Sequence, residues 1–163
     1  MSPSLLVALL AFAAPTSGPD VEHPLPVPSP AASRSGRFAR ARHVGTEGPS
    51  ISVWLNSSNP YQRGQAAQVF IKTDRDAYVT VVRIDTDGRV RMLFPIDPWD
   101  DNFARGGKDL ELVGRNGGPA FSVDDDPGVG YVFAIASPDP YTYEHFVLGD
   151  HWDYRVIADG RIK

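Results

Sequence analysis

The sequence predicts an all-β fold, an antiparallel immunoglobulin-like sandwich of about seven strands, and two observations predict it. From Ile51 onward, apolar side chains recur with a period of two or fill short runs rich in β-branched residues. Turn-forming pairs such as Asp87-Gly88 and Gly117-Gly118 separate these runs. The sandwich is therefore expected over residues 50–138.

The predicted strands differ in how their apolar residues are distributed. Some runs are apolar on both faces, which favours central positions in a sheet. These are residues 66–73, 77–84 and 129–137. The other runs alternate, which favours one buried and one open face. These are residues 51–55, 90–94, 108–113 and 120–123. In 90–94, alternation predicts that Val90, Met92 and Phe94 point inward and that Arg91 points outward.

Residues 1–13 have the pattern of a signal peptide. Residues 5–14 form an unbroken apolar run, shorter than the roughly 20 residues that span a bilayer. The run contains Ala11-Phe12-Ala13, the small-x-small pattern of signal peptidase, which predicts cleavage after Ala13. The alternative is a buried N-terminal strand or helix, but the residues that follow are poorly suited to fold around it. The preferred interpretation predicts an exported chain, periplasmic or at the cell surface, with no transmembrane segment after cleavage.

Residues 14–49 are predicted to be a disordered linker, because prolines and serines are frequent in their first half. Four arginines follow around Phe38, on a stretch without defined geometry. They are Arg34, Arg37, Arg40 and Arg42. The net charge of the chain is −4, which argues against a nucleic-acid partner. The chain has no cysteine, which excludes disulfides, thiol nucleophiles and cysteine-based metal sites.

Residues 139–163 form an aromatic-rich C-terminal extension. Side chains at helical spacing predict a short helix over 140–148, and the segment from Tyr154 reads as a strand, a turn and the start of another strand. The pattern stops there, which predicts either a final hairpin or a chain shortened relative to its relatives.

The segment Asp85-Thr86-Asp87-Gly88 resembles part of a calcium loop. In an EF-hand alignment with Gly88 at position six, position one is Arg83 and position twelve is Phe94, and neither supplies the required oxygen. The alternating residues on both sides instead favour a hairpin with Gly88 in the left-handed conformation.

Two weaker patterns suggest a metal site, but neither is complete. Asp97, Asp100 and Asp101 crowd one loop, and carboxylates favour hard cations, although six to eight converging oxygens are needed. His145 and His151 lie near carboxylates, but their spacing matches no known zinc pattern. No Gly-x-Ser-x-Gly motif or phosphate-binding loop is present, so we expect no catalytic residues and no cofactor.

The order of several motifs resembles the bacterial family DUF4384, a domain of unknown function, over about residues 50–138. The matching residues are Tyr61, Gly64, Asp76, Ala77, Tyr78, Ile84, Asp85, Asp87, Gly88, Leu93, Phe94, Pro95, Asp101, Asn102, Gly106, Pro127, Gly128, Tyr131 and Ser137. The resemblance implies a β-rich module of exported or envelope proteins, with no catalytic residues to carry over. Within it, we expect Tyr78 and Phe94 to anchor the core and Asn102 to satisfy backbone groups.

These observations predict a non-enzymatic interaction or structural module whose partner is a protein or an envelope polymer. Aromatic and loop residues are the candidates for contact, because aromatic side chains are enriched at interface anchors. They are Trp99, Asn102, Tyr141, Tyr143 and Trp152. The alternative is a small metal- or carbohydrate-binding domain that uses the 97–102 loop or the two histidines.

Overall fold

The computed structural model describes residues 6–13, 48–57, 60–124 and 126–159. The predicted linker at 14–49 lies almost entirely outside the described residues, as do its four arginines. Leu6–Ala13 is a β-strand. A strand in this segment agrees with the alternative to a signal peptide, whereas cleavage after Ala13 stays a prediction.

The described chain is built almost wholly from short strands. In chain order they are β1 Leu6–Ala13, β2 Ile51–Leu55, β3 Ala66–Ala67, β4 Val69–Thr73, β5 Ala77–Ile84, β6 Val90–Phe94, β7 Phe103–Ala104, β8 Asp109–Leu112, β9 Phe121–Ser122, β10 Val129–Ser137, β11 Val147–Leu148 and β12 His151–Trp152. A 3-10 turn covers Glu144–Phe146, and one helix, α1, covers Tyr154–Asp159. Among the described residues, no helix has the length and apolar character needed to cross a membrane.

Two antiparallel sheets account for the main architecture. The first has the order β1-β10-β5-β6, with β7 also paired to β5, and the second has the order β2-β4-β8. Two-stranded ladders join β3 to β9 and β11 to β12. The predicted all-β, sandwich-like fold is thereby confirmed.

The core lies between the two main sheets and is formed by alternate residues of each strand. The strands β5 and β10 contribute core residues that are fully buried or nearly so. These are Ala77, Val79, Val81, Val132, Ala134 and Ala136. The facing sheet contributes Ile51, Leu55, Val69, Ile71 and Leu112. Burying each larger aliphatic side chain contributes about 1.5–3 kcal/mol, so this interface is the main source of stability.

Local patterns of the sequence did not predict the C-terminal extension correctly. The segment from Tyr154 is helical and not a strand, and the helix expected over 140–148 is reduced to the 3-10 turn.

The run 66–73, predicted as one strand, is two strands, because β3 pairs with β9 whereas β4 pairs with β2 and β8.

Several side chains also face differently from the prediction. Arg91 lies opposite Arg83, which is buried, and a register shift between Val81 and Val82 accompanies this pairing. Arg91 therefore lies on the inner face, whereas Val90 and Met92, opposite Ile84 and Val82, lie on the outer face. Tyr78 is only half-buried and packs edge-on against Phe103 at 5.5 Å, away from the core cluster, whereas Phe94 packs against that cluster as expected.

Replacing Gly106 with Ala is expected to destabilise the fold by about 1–3 kcal/mol, because the added methyl group would overlap the backbone of Arg75. The Gly106 N–H also donates to Asp76 Oδ1 at 2.9 Å, which fixes the two loops together. Urea unfolding of Gly106→Ala and Gly118→Ala tests this. An added Cβ at Gly118 meets nothing within 4 Å, so that variant should unfold like the parent. Equal midpoints for both variants would contradict the prediction.

Candidate functional site

A buried ion pair lies at the end of the sandwich, where β5 leaves the core. Arg83 continues the inward row of β5, and its Nε lies 2.7 Å from Oδ1 of Asp85. The side chains of Arg83 and Asp85 are 1% and 0% exposed. Because removing a charge from water is costly unless an opposite charge compensates it, each of these groups depends on the other.

Further residues extend this pair into a cluster. Arg91 donates from Nε to Asp85 Oδ2 at 2.9 Å. Arg83 and Arg91 each place an Nη2 atom 3.4 Å from the carboxylate of Asp124. The ring of Phe121 stacks under Arg83, with its centroid 4.1 Å from Cζ, a favourable cation–π distance. The cluster therefore ties the β5–β6 hairpin to the segment around β9.

The Asp85-Thr86-Asp87-Gly88 segment is a hairpin turn, as the sequence predicted. Gly88 has φ +83°, and its N–H donates to the carbonyl of Asp85 at 2.9 Å. The backbone N–H of Arg89 donates to Asp87 Oδ1 at 3.1 Å, and this bond holds the pKa of Asp87 below its usual value. Its two aspartates thus differ: Asp87 shapes the turn, whereas Asp85 is a buried counter-ion, a role that no local pattern indicated.

A pocket of about 430 Å³ opens beside the ionic cluster. Its lining combines arginines with apolar and aromatic side chains. Among these are Arg83, Arg91, Arg115, Met92, Phe121 and Tyr154. The three guanidinium groups are matched by the carboxylates of Asp85, Asp124 and Asp97. Each of these three arginines is therefore paired with a carboxylate of the same chain.

The acidic loop is organised by hydrogen bonds within the chain. Asp97 accepts two bonds from Arg115, at 2.9 and 2.6 Å, and these bonds hold the pKa of Asp97 below its usual value. Asp100 Oδ2 accepts the N–H of Asp97 at 2.9 Å, and Asp101 Oδ1 accepts the N–H of Phe103 at 3.0 Å. The three carboxylates therefore point to different partners and do not converge.

The two histidines lie on the surface of the C-terminal extension. His145 is in the 3-10 turn, His151 is in β12, and both are exposed. Across the described ranges, no group of three histidine or acidic side chains is close enough to hold a metal ion.

Most of the predicted contact residues hold the extension against the first sheet. Tyr143 shares its hydroxyl with Thr80 Oγ1 at 2.6 Å and accepts a bond from Asn102 Nδ2 at 2.9 Å. Burial raises the pKa of Tyr143, and these two bonds oppose the rise. Trp152 is buried, meets Tyr143 edge-to-face at 5.0 Å and donates from Nε1 to the carbonyl of Ile96 at 2.8 Å.

The remaining two candidates differ in exposure. Trp99 is 64% exposed at the tip of the acidic loop. Tyr141 is half-buried against Tyr143, at a ring distance of 6.0 Å, and burial raises its pKa.

Asn102 is buried, and its Nδ2 also donates to the carbonyl of Val79 at 3.3 Å. This bond is the role in satisfying backbone groups that the sequence predicted for Asn102.

An apolar surface that the sequence did not single out lies on the outer face of β10 and β5. We define this outer patch by Val129, Tyr131, Phe133, Val82 and Ile84. Ile84 is opposite Tyr131, and Val82 is opposite Phe133, in the β5–β10 ladder. Val129 and Tyr131 are exposed and the other three are half-buried. In the sequence, the only indication of this surface was that both strands are apolar on both faces.

The fold and these contacts define the class of the chain: a β-sandwich module stabilised at one end by a buried ionic cluster. Residues 60–140 match the model of the family described as "Domain of unknown function (DUF4384)", which confirms the resemblance indicated by the motifs. No curated protein and no solved structure matches the chain.

Proposed function

We propose that this chain is an exported, non-enzymatic module of the periplasm or cell surface that binds another protein. The outer patch is the observation that supports the proposal, because the outward-facing rows of β5 and β10 contain no charged residue. On β10 that row is Val129, Tyr131, Phe133 and Ile135, and on β5 it includes Val82 and Ile84. Contiguous apolar surface of this kind is typical of interaction sites.

The position of the patch also favours binding. The C-terminal extension covers the neighbouring part of the same face, where Tyr143 bonds to Thr80, but Val129 and Tyr131 stay 47% and 37% exposed. Tyr131 packs against Phe133 with ring centroids 6.2 Å apart, so an aromatic anchor is already held in place. Aromatic side chains fixed in this way carry much of the energy of protein interfaces.

The charged residues of the pocket support a non-enzymatic role. Their guanidinium and carboxylate groups are engaged with one another, and the pair at the centre, Arg83 and Asp85, is buried. Such a cluster fixes the ends of strands and loops, which a binding module needs in order to present a rigid face.

The outer patch is tested by a photo-reactive phenylalanine analogue placed at Tyr131 in cells of the host. We expect a specific adduct with an envelope protein. Adding Val129→Lys should lower the adduct yield about fivefold or more, because a charge would be placed inside an apolar interface. Val113→Lys is the matched control, since Val113 has the same 47% exposure. It follows directly after β8, a strand of the other sheet, and is therefore outside the outer patch.

Two outcomes would refute the proposal. Equal adduct yields with Val129→Lys and Val113→Lys would show that the patch does not bind. An intact Met1 on the chain recovered from the cells, instead of a start near Ala14, would refute the export.

A further inference from the structure

We propose that the edge of β10 is a strand-acceptor site, filled in the processed chain by an extended, uncharged, apolar segment of a partner protein. This inference rests on the proposed export. In the full chain, β10 pairs with β5 on one side and with β1 on the other. The β1–β10 ladder is antiparallel and runs without interruption from Leu6 opposite Ala136 to Ala13 opposite Val129.

The strand β1 coincides with the segment that export would remove. Its last paired residue is Ala13, after which the sequence predicts cleavage. Processing would therefore take away the whole strand and leave β10 as an edge. Unpaired N–H and C=O groups along such an edge can pair with another chain, which is the basis of binding by strand addition.

The edge of β10 lacks the features that usually prevent pairing. Residues 129–137 contain no charged residue and no proline, and the strand is nine residues long. Two of the other three edges of the main sheets carry such features, and the third, β2, lacks them but is only five residues long. In β6, Arg91 and a register shift interrupt the edge, and Pro95 follows it. In β8, Asp109 and Glu111 are exposed. After processing, β10 would therefore be the longest uncharged edge of the two sheets, which favours it as a pairing edge.

The inner row of β10 indicates what kind of strand fits. Gly130, Val132, Ala134 and Ala136 are all buried, and most of them are small. The strand β1 also contacts β2 of the facing sheet, so an added strand closes this side of the sandwich. A segment with larger apolar residues at alternate positions would fill the space beside the small row, as close packing of a core requires.

These features favour a partner segment over a second copy of the chain. Pairing β10 with β10 of another copy would bring two rows of small residues together and leave voids between the sheets. The occupant we propose is an antiparallel strand of about eight residues, apolar where it meets the inner row and without charge or proline. The segment Leu6–Ala13, LVALLAFA, has this composition and is seated on the edge.

Hydrogen exchange of the β10 amides tests the assignment in the exported, processed chain. The probe is a peptide of residues 6–13 carrying a C-terminal lysine tag for solubility. We expect rapid exchange along the edge of β10 without the peptide and exchange about 100-fold slower with it. The matched peptide with Leu9→Pro should give no protection, because proline removes an N–H and interrupts the extended ladder.

Each alternative result has a defined meaning. If the processed chain is unfolded alone and the peptide restores its far-ultraviolet circular dichroism, the acceptor assignment is supported. If the peptide neither protects nor refolds a cleaved chain, or if light scattering shows a dimer with β10 already protected, the assignment is overturned while the export stands. An intact Met1 would instead refute the export on which both proposals depend.

Discussion

Replacing Asp85 with Asn is expected to lower the free energy of unfolding by about 3–5 kcal/mol, because it removes the charge that compensates a buried guanidinium. The carboxylate of Asp85 is 0% exposed and contacts Arg83 at 2.7 Å and Arg91 at 2.9 Å. Urea unfolding followed by circular dichroism measures the change, provided that the slope of the transition stays constant.

The turn itself supplies the matched control. Asp87 lies two residues further on, is half-exposed and pairs with Arg89 at 2.6 Å on the surface. Surface pairs of this kind contribute about 0–1 kcal/mol, so Asp87→Asn should change stability little. Equal losses for the two variants would contradict the buried counter-ion role of Asp85.

A double replacement separates the ion pair from simple packing. Arg83→Met with Asp85→Leu removes both charges and leaves apolar side chains in their place, and such exchanges are often close to neutral. We therefore expect the double variant to be more stable than Asp85→Asn alone. A double variant that is less stable would show that the polar contacts of the cluster contribute more than charge compensation does.

Replacing Trp152 with Ala is expected to cost about 3–5 kcal/mol, since it removes a large buried side chain and leaves a cavity between the extension and the first sheet. The same change deletes the 2.8 Å bond from Nε1 to the carbonyl of Ile96 and the edge-to-face contact with Tyr143. Urea unfolding gives the stability, and near-ultraviolet circular dichroism reports whether the aromatic packing is lost.

Trp99→Ala is the control for Trp152→Ala, because Trp99 is 64% exposed and its removal should change stability by less than about 0.5 kcal/mol. The two tryptophans were alike as contact candidates from sequence. Similar losses for both variants would show that the extension does not depend on Trp152 for its packing against the sheet.

The strands and the hairpin were predictable because they depend on residues close together in the chain. Alternation marked β2, and runs apolar on both faces marked β5 and β10. Gly88 at φ +83° confirms a turn that follows from the local preference of glycine for that region.

The ionic cluster and the C-terminal extension were not predictable in the same way. Arg83 falls on the inward row of β5, but whether it would be tolerated there depended on Asp85 and on Asp124, which lies 41 residues further on. The residues from Tyr154 have β-branched members that favour a strand, yet the helix there packs against β6, and Tyr154 Oη accepts the N–H of Met92 at 3.4 Å. Tertiary contacts thus overrode local preference.

The sequence by itself determined the all-β class, most strand positions within the domain, the hairpin at Asp85–Gly88 and the resemblance to DUF4384. Each of these is encoded by side chains a few residues apart, since periodicity and turn preference act within one strand or one turn. The tertiary structure alone decided that Asp85 is a buried counter-ion, that Trp152 is buried while Trp99 is exposed, and that β10 receives the segment Leu6–Ala13. Those features arise between residues far apart in the chain, where burial and pairing depend on how the sheets come together.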